Sequence, residues 1–126
     1  MPAYTLSQSS VGVTTAYPIY LKRQNWEGMG VGLIVNFTGP TNTATGLPSG
    51  TAAVATATVQ VTNDPNALSA IPSVQSTARW ISHPVLQNIT GDLSSSIAYP
   101  VLAVRLAITS YTSGTVMLQI GVPDDI

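Results

Sequence analysis

Cysteine is absent from this 126-residue chain. Its absence removes disulfide-stapled scaffolds, thiolate nucleophiles and cysteine-bound metals from consideration. Charge is scarce as well: charged residues make up 7% of the sequence, where roughly 25% is usual for soluble domains. Four Lys and Arg against five Asp and Glu leave a net charge of −1, and Lys22-Arg23 is the only adjacent cationic pair. Binding to nucleic acid needs several phosphates neutralised by clustered cations, so that partner is set aside. No apolar run approaches the roughly 18 residues of a membrane helix. The start, MPAYTLSQSS, has neither a basic segment nor an apolar core of the kind that directs export. The expectation is a soluble protein with no membrane partner.

What is present points to β structure and to association. A nearly neutral chain has little self-repulsion to keep copies apart, so a homo-oligomer or lattice is the natural prior. The length fits a single domain with a real core over residues 1–126. Alternation of apolar and polar residues predicts strands over 17–23, 30–38, 53–62 and 78–83, and a hairpin joining 99–109 to 115–122 through Ser110-Tyr111-Thr112-Ser113-Gly114. In the second of these, Val31, Leu33, Val35 and Phe37 share one face, and the strand reads as central and well buried. Residues 86–93 pattern more weakly. Pro18 argues for an edge position, and Asn63-Asp64-Pro65-Asn66 reads as a turn. The first dozen residues read as an N-terminal arm, and 38–52 and 63–78 as long loops, the latter with room for a helical turn. About seven or eight strands with such spacing predict an all-β, two-sheet antiparallel sandwich of jelly-roll or Greek-key type.

The stretch TATVQVTNDPNA raises a particular question, because Thr58, Gln60 and Thr62 form a wet face without charge. The expected answer is that this surface lies against a sister subunit or a larger shell.

Groups able to do chemistry are few. His83 stands between Ser82 and Pro84 with no carboxylate nearby in sequence. It reads as a histidine hydrogen-bonded near a strand end, with a Ser/Thr-His-Asp triad assembled in space as the competing reading. Glu27, Asp64, Asp92, Asp124 and Asp125 are scattered and match neither a glycosidase pair nor a calcium loop. Gly28-Met29-Gly30-Val31-Gly32 lacks the lysine and the following helix of a phosphate loop. The Asn36 and Asn88 sequons read as chance in a chain rich in Asn and Thr. No catalytic, metal or cofactor site is expected. Trp26, Trp80 and five tyrosines suit a second reading, a carbohydrate-binding or receptor-binding module that stacks sugars, although tryptophan in a small sandwich is more often structural. Arg105 falls mid-strand between Ala103 and Ala107, at the outer surface of a sheet or paired at an interface. With so few charges, Lys22, Arg23, Trp26, Arg79, Trp80 and Arg105 are the candidate interface residues.

The combination of YPIYLKRQNW, TATVQVTNDP, the Arg79-Trp80 step and the closing YPVLAVRLAITSYTSGTVMLQI resembles the small β-sandwich structural proteins of tailed bacteriophages, in particular capsid cement or decoration proteins. The resemblance implies a jelly-roll-like fold and a trimer or other homo-oligomer on the outside of an icosahedral head. It also implies a partner, the major capsid protein, whose neighbouring subunits the oligomer clamps. Synthesis in the host cytoplasm and a final place in the virion follow from the same resemblance, with a tail or fibre component as the alternative. It implies no site residues, because such proteins bind through extended surfaces.

Overall fold

The strongest alternations become the central strands. The computed structural model describes residues 3–18, 31–39, 44, 46, 52–97 and 101–121. In chain order the strands are β1 (Ala3–Gln8), β2 (Gly12–Val13), β3 (Tyr17–Pro18), β4 (Val31–Thr38), β5 (Val54–Thr62), β6 (Ile81–Ser82), β7 (Leu93–Ile97), β8 (Ala103–Ser113) and β9 (Thr115–Gly121). A 3-10 turn spans Pro65–Leu68, and a short helix α1 spans Pro72–Gln75. They build a two-sheet antiparallel β-sandwich. One sheet runs β1-β9-β4-β7; the other runs β2-β8-β5-β6, with β3 also paired to β8. Val31, Leu33, Val35 and Phe37 of β4 and Val116, Leu118 and Ile120 of β9 meet Ala57, Val59 and Val61 of β5 and Val104, Leu106 and Ile108 of β8 in one core. Alanines at 53, 55 and 57 are buried there, and their small side chains let the two layers approach closely.

Several expectations are corrected. The N-terminal segment is not a free arm: β1 pairs with β9 from Ala3 to Gln8, and β2 pairs with β8. Leu6 packs on the core, which gives a mostly polar segment enough apolar contact to hold its register. The expected hairpin is absent. β8 and β9 follow one another through Gly114 but belong to opposite sheets, so this turn is a corner between layers. Both rows of apolar residues nevertheless face the same core, as the alternation requires. The strand expected over 78–83 shrinks to Ile81–Ser82, and of 86–93 only Ile89, bridged to Ala57, and Leu93, the first residue of β7, join a ladder. Serine-rich β7 carries no apolar alternation to announce it and is held by its ladder to β4. β4 is central, as read, but buried on one face only: Ile34 is 45% exposed. Of the expected strand over 17–23, only Tyr17–Pro18 is among the described residues, at the outer side of β8, where Pro18 costs the sheet no ladder bond. Most of the 38–52 loop also falls outside them.

The Thr58-Gln60-Thr62 face is dry for a reason other than the expected one. Thr58 and Thr62 are only 6% and 3% exposed, yet the chain itself covers them. Thr58 Oγ1 accepts the Asn88 N–H at 2.9 Å, and Thr62 Oγ1 donates to the Arg79 carbonyl at 2.5 Å while accepting the Asp64 N–H at 2.9 Å. Threonine suits such a place because one hydroxyl both donates and accepts. The segment from Asn63 to Trp80 thus forms a partial third layer on the five-stranded sheet, and the chain from Ile81 to Ile89 runs along its β5 edge.

Asp64 closes the base of that layer. One carboxylate oxygen accepts the Asn66 N–H at 3.0 Å and caps the 3-10 turn, and the other accepts the Arg79 N–H at 3.0 Å. The two ends of the 63–78 loop are therefore tied through one side chain. Asp64→Ala is expected to lower stability by about 1–2 kcal/mol. Urea denaturation would measure that loss, and amide exchange at Arg79 should quicken; an unchanged midpoint with Arg79 still protected would refute the clamp.

Candidate functional site

Two surfaces stand out, one on each side of the sandwich. The first is the outer face of the four-stranded sheet. Register places Thr5, Gln119, Ile34 and Ser94 in one row across all four strands. Beside it lies a row of Ser7, Met117 and Asn36, and on the other side Gly121, Gly32 and Ser96. Thr5, Ser7, Gly32, Ile34, Ser94, Ser96 and Gln119 are exposed. None of these residues is charged, and unlike the opposite sheet this one has no third layer among the described residues. At about 4.8 Å between strands and 3.4 Å per residue, the face measures roughly 15 by 20 Å. The sequence carried its signal in the second parity of each strand, Thr5 and Ser7, Ile34 and Asn36, Met117 and Gln119. Only the strand order shows that these residues share a plane.

The second surface is a groove of about 410 Å³ on the other sheet, lined by Val13, Thr14, Thr15, Ala16, Ala67, Pro72, Gln75, Ser76, Trp80 and Arg105. β8 places Arg105 directly opposite Gln60 of β5, and its Nε–H donates to Gln60 Oε1 at 2.7 Å. The guanidinium lies over the Trp80 ring, 4.2 Å from the centroid, a cation–π stack. Partial burial pushes the Arg105 pKa below its ordinary value, since desolvation disfavours the charged form. Trp80 reaches this position because Asp64 and Thr62 fix both backbone groups of the preceding residue, Arg79. The Arg79 side chain is exposed. Among the six candidate interface residues, the structure therefore joins Trp80 and Arg105 and leaves Arg79 as their backbone support. Lys22, Arg23 and Trp26 lie outside the described residues. Gln60 was read only as part of the uncharged face with Thr58 and Thr62, and the groove-lining Thr14 was not singled out, since their proximity to Arg105 depends on strand pairing that composition does not reveal.

His83 is 2% exposed. Its Nδ1 accepts the N–H groups of Val85 and Leu86, and its Nε2 lies 2.9 Å from the Ser96 carbonyl. Both ring nitrogens are committed to backbone, so this histidine has no nitrogen left to activate a nucleophile. Asp92 is engaged too, accepting the Phe37 N–H at 2.7 Å and extending the β4 ladder past the start of β7. Among the described residues, no three His, Cys, Asp or Glu side chains stand close enough to hold a metal ion. No described helix is long and apolar enough to cross a membrane. Comparison with family models, curated proteins and solved structures finds no match to this chain.

Proposed function

We propose that this protein is a non-enzymatic structural component of a tailed-phage virion, a head decoration or cement protein that seats on the outer surface of the major capsid shell as a homo-oligomer, a trimer in the favoured form. The observation that supports this most directly is the open, uncharged outer face of the four-stranded sheet. Flat rows of Gly, Ser, Thr, Asn and Gln can be covered by another protein with a small desolvation penalty, whereas a face of lysine and glutamate would need a paired charge for each one buried. Its extent, roughly 300 Å², falls short of the roughly 800 Å² per partner of a stable interface. A single copy would hold weakly through this face, and several linked copies would hold well, because each further contact becomes intramolecular. That arithmetic favours an oligomer on a repeating shell. The sugar-binding reading draws no comparable support, since the Trp80 ring is stacked on Arg105.

The purified protein is expected to be oligomeric by light scattering and to bind phage particles that lack it. Thr5→Lys with Ser94→Lys places two like charges at opposite ends of the middle row of the exposed face, too far apart to repel across one strand pair, and the stability of the chain should change by less than about 0.5 kcal/mol at each position. The double variant is expected to lose particle binding or oligomerisation while keeping its denaturation midpoint. A monomeric wild-type chain with no affinity for such particles would overturn the proposal.

A further inference from the structure

We propose that the groove over Arg105 is a carboxylate-binding site, and that it receives an aspartate or glutamate side chain presented by a protein partner. The guanidinium is fixed before any ligand arrives, by the Gln60 amide at Nε and by the Trp80 ring beneath it. Gln60 occupies one edge of the fork. The remaining N–H donors have no acceptor among the described residues, and Arg105 lines the groove. The two carboxylates among the described residues are spent elsewhere, Asp64 on the Asn66 and Arg79 amides and Asp92 on the Phe37 amide. A fixed, partly desolvated guanidinium with a free planar edge is the arrangement that takes a carboxylate bidentately, and arginine does this better than lysine because its donors are already set in a plane.

The rest of the lining narrows the ligand. Thr14 Oγ1 donates to the Thr15 carbonyl and accepts the Leu106 N–H, Gln75 donates to the Ala67 carbonyl, and Ser76 donates to the Ser73 carbonyl. A sugar acid, with a hydroxyl on nearly every carbon, would find the indole face occupied and only the Thr15 hydroxyl and the unused valences of Gln75 and Ser76 to bind it. A carboxylate on a short aliphatic stem needs only the guanidinium, and Val13, Ala16, Ala67 and Pro72 offer apolar walls for the stem. Charge complementarity therefore identifies the occupant as an acidic side chain of a partner protein. The inference does not depend on the virion reading, since the groove and the open face lie on opposite sheets.

The test is a titration of the full-length protein with a capped Gly-Glu-Gly peptide, followed by NMR at the Arg105 Nε–H and Trp80 Nε1–H signals. The expected result is saturable shifts of both, with the Gly-Gln-Gly peptide binding at least about tenfold more weakly. Arg105→Gln should abolish the response. Arg105→Lys, which keeps the charge and guards against a folding defect in the first variant, should weaken it by a similar factor. Equal binding of the Glu and Gln peptides, no response to either at millimolar concentration, or a response to galacturonate in place of the Glu peptide would each overturn the proposal. A chain that stays monomeric and ignores particles yet takes the Glu peptide would sink the virion reading and support the groove.

Discussion

Gly114→Ala is expected to remove a large part of the stability of the fold. Gly114 turns the chain from β8 in one sheet to β9 in the other, with φ at +86°, a conformation that costs an L-residue roughly 1–2 kcal/mol. A Cβ built there would stand 2.5 Å from the Thr38 carbonyl oxygen, 2.6 Å from Ala53 Cβ and 2.8 Å from Ala53 Cα. Those atoms are backbone or nearly so, and none can swing aside as the end of a long side chain would. Overpacking of this kind costs about 1–3 kcal/mol more. The combined loss of about 2–5 kcal/mol compares with a total of about 5–15 kcal/mol for a typical domain. The Tyr111 hydroxyl donates to the Gly114 carbonyl at 2.9 Å and pins the same corner, so the backbone has little freedom to relax. Gly46→Ala is the matched control: φ is +71° and no described residue lies within 4 Å of the added carbon. It should show the conformational term alone, about 1 kcal/mol. Urea denaturation followed by circular dichroism would separate the two, and equal losses at both positions would show that crowding at the corner is not the cause.

That corner also marks where the sequence ceases to determine the fold. Alternation in Val104, Leu106 and Ile108, and again in Val116, Leu118 and Ile120, tells which face of each strand is dry. It is silent on whether the next strand lies beside the first or across the core from it, because the two arrangements bury the same atoms. Gly114 was consistent with both. Strands β1 and β7 were hidden for a related reason: Thr, Ser and Gln serve equally well in a loop and on an edge strand, and what makes β7 a strand is its ladder to β4, which is non-local.

Covering of polar residues was legible in part. The absence of charge at Thr58, Gln60 and Thr62 did signal a face that does not meet free water. A hydroxyl bonded to the chain's own amide and one bonded across an interface look alike in sequence, and here the partners are Asn88, Arg79 and Asp64 of the same chain. The uncharged face left open is on the other sheet. Arg105 and Trp80 were each visible as rare residues, while their contact needed the β5–β8 register that sets Gln60 beside Arg105 and the Asp64 clamp that delivers Trp80.

His83→Ala is expected to be nearly as damaging as the corner substitution, through lost hydrogen bonds in place of added bulk. The backbone from His83 to Leu86 lies along β5, where the His83 N–H donates to the Val59 carbonyl at 2.8 Å and the Val59 N–H donates to the Leu86 carbonyl at 2.7 Å. Between those bonds the imidazole accepts two amides at Nδ1, at 3.1 Å from Val85 and 3.2 Å from Leu86. A nitrogen that accepts two N–H groups must present its lone pair, so the ring proton resides on Nε2 and is donated to Ser96 of β7, in the opposite sheet. One side chain therefore holds a turn in shape and ties the open edges of both layers together, with Leu86 fully buried beside it. Truncation leaves two amides and a carbonyl without their partner, and the expected loss is about 2–4 kcal/mol. Asparagine offers an oxygen near the Nδ1 position without the reach to Ser96, so His83→Asn should recover roughly half of that loss and restore slow amide exchange at Leu86 while exchange at the β7 edge stays fast. Were the histidine held for catalysis, its removal would leave stability unchanged or raise it. An alanine variant that denatures at the wild-type urea concentration would therefore refute the structural role.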